Sequence, residues 1–470
     1  MSVASEKTIF ALVGLPARGK SFLSAKIVTF FNWSGVPSRI FNAGSRRRAD
    51  EGALASGRSS FFCSKNSEAV SKRDDIAMNT LAAAVHWLVE ENGTIAIFDA
   101  TNTTRARRRM IQDYLRSVNA PARLVFIESI CNDERVLQNN FLQKVRNSPD
   151  FEGMDEAVAL DDLKSRIKAY EAVYETVSDE ENVPYIKLID LASKVVCYLI
   201  WGTIPMRCVQ LLISCHVGHR PVYLARAGHC DGVDDLSQGK WFDDSGIALG
   251  AGPWAEASQG PFGMSPRQAV DDGRSRQGSM DGNVKMPAAQ TCNAHLSKAG
   301  RVFAKRLAKY ISMQGHGRDV VTMCSTMPRS VETISAIGCP IEDVQQWSAL
   351  GILDTGIYHG LSVKFIQEHV PEEYEKWESD PIRYRFPGGE SILDMNKRLA
   401  EVVLEIEHAH FPVAVVSHLP TIQSLIAYFT GQPPEVIPHL VVPRHSVVVL
   451  SPSIYGWSLT TVTEDELPEL

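Results

Sequence analysis

A chain of 470 residues can hold two hydrophobic cores of ordinary size, because single cores rarely grow beyond about 250–300 residues. At 44 % hydrophobic and 22 % charged it has the make-up of folded globular material, and a formal charge of −7 excludes a general attraction for nucleic acid or an anionic membrane surface. The nine cysteines are scattered without a CxxC pair, so a reducing, cytoplasmic setting is expected.

The first apolar stretch, "TIFALVGLPA", has only Lys7 ahead of it as a positive charge and runs straight into "RGKS". That reads as a buried strand rather than a secretory leader. The run "VVCYLIWGTIPM" (Val195–Met206) is too short to cross a bilayer, which needs about 20 residues.

Strands and helices then alternate. "TIFALVG" predicts a strand, "SFLSAKIVTFFNWSG" a helix closed by Gly35, and "SRIFNAG" a strand ending in a turn. A loop containing "FFCSKN" leads to a helix over 67–91, then strand "TIAIFDA", a basic helix from Arg105, strand "ARLVFIESI", a helical region in 152–178 and strand "YIKLIDL". Such alternation predicts a parallel sheet covered by helices on both faces. A second alternation starts at "RPVYLARAG" and continues through "RDVVTMCS" and "FPVAVVSHLP". The expected organisation is therefore two α/β domains, 1–216 and 217–470. Gly, Ser, Asp and Gln dominate about 231–290, which reads as an inserted loop whose serines near arginines offer phosphorylation as one reading.

"GLPARGKS" satisfies G-x-x-x-x-G-K-[ST] between a strand and a helix. Gly14 and Gly19 let backbone amides turn inward around phosphates, Lys20 reaches the β/γ-phosphates, and the Ser21 hydroxyl suits Mg²⁺. A glycine-containing turn is the bland alternative. Strand "IAIFDA" delivers Asp99 at its end, where a carboxylate can orient Mg²⁺ or accept the proton of an attacking hydroxyl. Arg105, Arg107, Arg108 and Arg109 follow; at helical spacing only one or two can face a ligand, and the rest are expected in solvent.

"GLPARGKS", "FNAGSRRR", "FFCSKN", "FDATNTTRARR", "FIESICND" and "NSPDF" together resemble the kinase half of the bifunctional 6-phosphofructo-2-kinase/fructose-2,6-bisphosphatase family, its fungal members especially. The resemblance implies an N-terminal P-loop kinase domain followed by a phosphoglycerate-mutase-like (histidine-phosphatase) domain. It implies transfer of the γ-phosphoryl of ATP to O2 of fructose 6-phosphate, with Mg²⁺, and leaves a homodimer open. Gly14, Leu15, Pro16, Ala17, Arg18, Gly19, Lys20, Ser21, Asn140 and Lys144 would hold ATP, with Ser21 and Asp99 at the metal. Asp99, Lys20 and Cys131 would occupy the catalytic centre, although Cys131 can equally be a packed, inert thiol. Arg47, Arg73, Thr101, Arg107, Arg166 and Tyr170 would surround the sugar phosphate.

The chain departs from the family pattern at Ser45 and Arg46, at Tyr198, and at Lys144–Val145, where the family order is Val then Lys. On a helix that shift turns the amine by about 100°. The second half departs further. Where histidine phosphatases carry R-H-G, with the histidine as nucleophile, this chain reads Arg226, Ala227, Gly228, and His229 is expected to point elsewhere. Ile352 of "LGILDTG" stands where the family has its glutamate acid, Gly388 where relatives have a lysine, and Val233 where they have an asparagine. Arg226, Arg329 and His418 remain, for anion binding or for structure alone. The reading is a 6-phosphofructo-2-kinase without effective bisphosphatase activity; the alternative is a catalytically silent binding protein.

Overall fold

A computed structural model describes residues 6–51, 66–190, 192–215, 220–231, 294–316, 319–338, 343–359, 361, 363–453 and 456–470. The chain forms two compact units, Met1–Gly218 with Asn396–His410 and Gly431–Pro434, and His219–Met395 with Phe411–Thr430 and Glu435–Leu470. The expected boundary at 216/217, the loop motif around Cys63, Val233 and nearly all of the expected insertion lie outside the described residues. Among the described residues no helix is long and apolar enough to cross a membrane.

The first unit is built on six strands, β1 (Lys7–Val13), β2 (Ser38–Asn42), β3 (Ile95–Asp99), β4 (Ala122–Ile130), β5 (Tyr185–Ile189) and β6 (Lys194–Tyr198), in the order β2-β3-β1-β4-β5-β6. β1 lies between β3 and β4, and Ile9 through Val13 are fully buried, which is why it reads as an unbroken apolar run rather than an alternating one. The first five strands are parallel, as expected. β6 returns antiparallel to β5, stacking Tyr198 on its register partner Tyr185 at 5.5 Å. The Tyr198 departure is therefore an edge-strand aromatic pair.

The helices of this unit are α1 (Lys20–Trp33), α2 (Ala43–Glu51), α3 (Ser67–Glu90), α4 (Arg105–Ser117), α5 (Glu134–Asn147), α6 (Glu156–Glu171) and α7 (Thr203–Ser214). α2 corrects the expected turn after "SRIFNAG": its charged run "GSRRRADE" has no apolar period to announce a helix, and Asn42 starts it by accepting the Ser45 N–H at 2.8 Å. Because the sheet is parallel, the ends of β1, β2, β3 and β4 lie on one edge, where open α/β sheets place their chemistry.

The second unit carries β7 (Val222–Arg226), β8 (Val321–Cys324), β9 (Gln345–Gln346), β10 (Val413–Ser417), β11 (Val447–Ser453) and β12 (Gly456–Val462), ordered β12-β11-β7-β10-β8-β9. β7, β10, β8 and β9 are parallel, and the β11–β12 hairpin closes the edge antiparallel, an element the alternation of strand and helix did not anticipate. Helices α8 (Lys298–Ile311) and α9 (Pro328–Ser335) follow β7 and β8. The ends of β7 and β10 again fall side by side, with Ala227 N–H donating to the Ser417 carbonyl at 2.8 Å.

Candidate active site

The loop after β1 begins at Gly14, whose φ of 140° is closed to ordinary residues and whose absent Cβ would meet the Ser129 carbonyl oxygen at 2.6 Å. Leu15 and Pro16 lead into Ala17, itself left-handed at φ 59°, and Gly19 (φ 81°) ends the loop at the start of α1. Successive residues of this kind turn amides toward one concavity, a built receptor for phosphate at a helix N-terminus. Asn140 on α5 donates to the Ala17 carbonyl at 3.3 Å, so that residue buttresses the loop. Arg18 reaches Glu171 at 3.7 Å, yet its Nη1 is buried with no hydrogen-bond partner, a donor suited to an incoming anion.

Lys20 is buried, and its ammonium donates to the carbonyls of Gly14 (2.9 Å) and Leu15 (2.6 Å). Burial pushes its pKa down to about 7; Asp99 opposes the shift, while Lys144 and Arg18 add to it. Asp99 Oδ2 accepts the Ser21 hydroxyl at 3.1 Å and the Asn42 amide at 2.7 Å. The pair expected to serve a metal is thus assembled, and the donor set fits Mg²⁺: one carboxylate and one hydroxyl, both oxygen. Lys144 lies in the same field. Burial lowers its pKa, against attraction from Asp99 and Asp150. Part of the residue is exposed, but desolvation of its ammonium is the main cause of the shift, with Arg48 and Arg166 adding to it. Val145, one step along, is 6 % exposed and packs with Phe151, Ala159, Leu163 and Ile167. The exchanged order "KV" therefore still presents an amine to the cleft.

Asp150 organises the far side. It pairs with Arg47 at 2.5 Å, Arg166 at 3.0 Å and Arg48 at 3.6 Å, and Arg166 also reaches Asp162 at 2.7 Å and lies over Phe151. Hydrogen bonding and attraction from these arginines hold the Asp150 carboxyl below its usual range although burial pushes the other way. The departures at Ser45 and Arg46 fall on the exposed face of α2, where Arg46 pairs with Asp50. Arg47 is buried, and the partly buried Arg48 reaches the same carboxylate.

A second cluster joins three helices: Arg73 lies 6.0 Å from the Tyr170 ring, and Arg107 is ion-paired to Asp74. Burial lowers the Arg107 pKa to about 10, Tyr170 countering and Arg73 adding, and Arg107 Nε is buried without a partner. Thr101 fixes the loop after β3 by accepting the Gly14 N–H at 3.0 Å through its carbonyl. Of the four arginines, Arg107 faces this cluster and Arg109 faces solvent. Arg108 corrects the expected split: it is fully buried, bonded to both Glu181 carboxylate oxygens at 2.7 Å and to the carbonyls of Asn102 and Glu175. Cys131 directly follows β4 and is buried, with burial raising its thiol pKa while a backbone hydrogen bond at Asp133, and then Arg18, only partly oppose. That is the environment of an inert thiol.

Sequence reading passed over Asn42, Asp74 and Asp150. Asn42 and Asp150 lay inside quoted motifs, but a carboxylate that gathers arginines is recognisable only once the helices meet.

In the second unit, Arg226, Ala227, Gly228, His229, Arg329, His418 and Arg444 wall one cleft. His418 is held between Ser325 (2.9 Å) and Arg329 (3.2 Å), and Arg226 donates to the Val442 carbonyl at 3.1 Å. His229 is one of the residues at the cleft, while its ring bonds at 2.8 Å to Ser297, which is not among the lining residues. Arg444 was not anticipated. Among the described residues that line the cleft there is no carboxylate, although Asp231 comes within 3.9 Å of the His229 ring, and at Ala227 the wall has a methyl group where a nucleophile would stand. Ile352 is half-buried, and Gly388 is exposed at φ 75°, a turn that favours glycine over lysine.

A P-loop whose lysine, hydroxyl and carboxylate converge beside two arginine clusters defines the nucleotide-dependent phosphotransferase class, here joined to a histidine-phosphatase fold. A family model described as "6-phosphofructo-2-kinase" matches residues 1–219, and one described as "Histidine phosphatase superfamily (branch 1)" matches 275–465. A 6-phosphofructo-2-kinase/fructose-2,6-bisphosphatase 1 of Bos taurus is 33 % identical, covering 97 % of this chain and 84 % of the relative. A 6-phosphofructo-2-kinase/fructose-2,6-bisphosphatase of Arabidopsis thaliana is 32 % identical over 95 % of this chain and 52 % of its own, and a 6-phosphofructo-2-kinase 1 of Saccharomyces cerevisiae 31 % over 97 % and 52 %. This chain spans about half the length of these last two. The chain belongs to the 6-phosphofructo-2-kinase/fructose-2,6-bisphosphatase family.

Proposed function

We propose that this protein transfers the γ-phosphoryl of ATP to O2 of fructose 6-phosphate, and that its second unit does not hydrolyse the product at a catalytic rate. The observation that carries the first part is the Ser21–Asp99 contact at the foot of the P-loop, in the same field as Lys20 and Lys144. In the reaction the sugar O2–H bond breaks, O2 bonds to the γ-phosphorus, and the bond from that phosphorus to the bridging oxygen of ADP breaks. Asp99 receives the proton; Lys20 balances charge on the leaving phosphates; Arg47 and Arg166 on one side, and Arg73, Arg107 and Tyr170 on another, are the candidate holders of the sugar phosphate. Mg²⁺, held by Ser21 and Asp99, supplies charge neutralisation across the phosphates when bound.

The silent-protein reading rested on Ser45–Arg46 and Lys144–Val145. The first pair faces solvent and the second still offers its amine to the cleft, which favours a working kinase. For the second unit the support is Ala227, which has no atom able to attack phosphorus. The same reading places the functional boundary near residue 217 and the protein in the cytoplasm.

The test is direct. Purified full-length chain with ATP, Mg²⁺ and fructose 6-phosphate should form fructose 2,6-bisphosphate; phosphorylation at O1, or no sugar product despite tight ATP binding, would defeat the proposal. K20M should cut transfer by orders of magnitude.

A further inference from the structure

Asn42 ends β2 directly opposite Asp99 in the parallel register of β2 and β3. Its amide has two jobs. The nitrogen donates to Asp99 Oδ2 at 2.7 Å, and the oxygen accepts the Ser45 N–H at 2.8 Å as the first turn of α2 begins. The orientation of the amide follows from its partners, since a carboxylate takes only the NH₂ end and a backbone N–H only the carbonyl end. The Ser21 hydroxyl lands on the same Asp99 oxygen at 3.1 Å. With Oδ2 doubly bonded, no described residue donates a side-chain hydrogen bond to Oδ1.

From this we infer that Asn42 is a positioning residue for the phosphoryl transfer: by holding Oδ2 it fixes the rotation of the Asp99 carboxylate, so that Oδ1 meets the sugar hydroxyl. The inference rests on the kinase reading proposed above. It also ties the carboxylate to the helix that carries Arg47, since the same amide starts α2.

A residue that merely caps α2 would behave differently from one that aims Asp99, and N42D separates the two. Aspartate caps a helix as well as asparagine does, so the bond to Ser45 survives. Its carboxylate cannot donate to Asp99 and repels it. The positioning role therefore predicts a fall in kcat of about 10- to 100-fold, the worth of a hydrogen bond to a charged group. KM for fructose 6-phosphate, which reads the placement of Arg47, should stay within about twofold. Parent-like kcat in N42D, or a loss confined to KM, overturns the inference. Should N42D fail to fold, N42A decides on the same kcat criterion. If the parent chain itself forms no product, the kinase reading fails, and the inference is judged on a crystal structure of N42D: an Asp99 carboxylate still bonded to Ser21 overturns it, a rotated one supports it.

Discussion

The Lys20 ammonium donates to the carbonyl of Gly14, 2.9 Å away, so the P-loop lysine is folded back onto its own loop. Two backbone carbonyls and one carboxylate nearby do not match what water or a triphosphate provides, and the pKa falls from 10.5 to about 7.

The first prediction concerns proton linkage. Bound phosphates favour the charged amine, so ATP binding near pH 8 should take up close to one proton. Calorimetry in two buffers of different ionisation enthalpy reads this uptake, and K20M should abolish it. Stability has a definite sign too. Between about pH 7 and 10.5 the unfolded lysine keeps its proton while the folded one sheds it, so this residue's contribution to stability rises with pH across that window. Equal proton uptake in parent and K20M would contradict the assignment.

A second prediction uses α5. K144A should raise the KM for ATP or fructose 6-phosphate by about tenfold, the scale of one charge-assisted phosphate contact. The exchange K144V/V145K should restore nothing. It drives an amine into the site now filled by Val145 against Phe151 and Leu163, and thermal unfolding should show a marked loss of stability. Parent-like kinetics in K144A would make Lys144 a bystander on a helix.

The third prediction is for D150N. It leaves Arg47 and Arg166, both buried, without their shared counter-charge. Breaking such a pair by removing one partner typically costs about 3–5 kcal/mol, which urea unfolding should register alongside a raised KM for the sugar phosphate. Because the Asp150 carboxyl is held below its usual value of 3.8, its contribution is full above that pH and lost as pH falls through the lower, folded value. D150N should flatten that acid limb. An unchanged unfolding midpoint would mean the arginines find other partners.

Much of the first unit could be read from the letters, because its physics is local. Ala122–Ile130 was bounded correctly by its apolar run, and Gly14 and Gly19 were identifiable from spacing alone. What escaped was set by tertiary contact. Arg108 looks like its neighbours until Glu181, 73 positions away, closes on it. α2 has no apolar period, because its inward side is arginine seeking a carboxylate. In the second unit the alanine at 227 was legible as a single letter, whereas the arginine-lined wall needed Arg444, contributed by a distant loop.

The last prediction concerns repair. A227H alone should yield little fructose-2,6-bisphosphatase activity, since Ile352 offers no proton to the leaving sugar oxygen and an acid contributes about 10²–10⁴ in rate. A227H with I352E should exceed either single variant, non-additively, with phosphohistidine at 227 trapped by an acid-free quench and seen by mass spectrometry. If the unmodified chain hydrolyses fructose 2,6-bisphosphate at a catalytic rate and R226A abolishes it, another group in that cleft replaces the histidine.

Why such a repair has a chance lies in two glycines. A Cβ on Gly228 would sit 2.9 Å from the Gly300 carbonyl oxygen, and one on Gly300 would sit 2.4 Å from that of His229. The bend after β7 is therefore clamped between two stretches of main chain, and its shape is enforced by the packing of α8 whatever stands at 227. The scaffold around 227 has no freedom to wander, because folding itself polices it. Whatever the second unit catalyses, the backbone that a restored histidine requires is written into the fold.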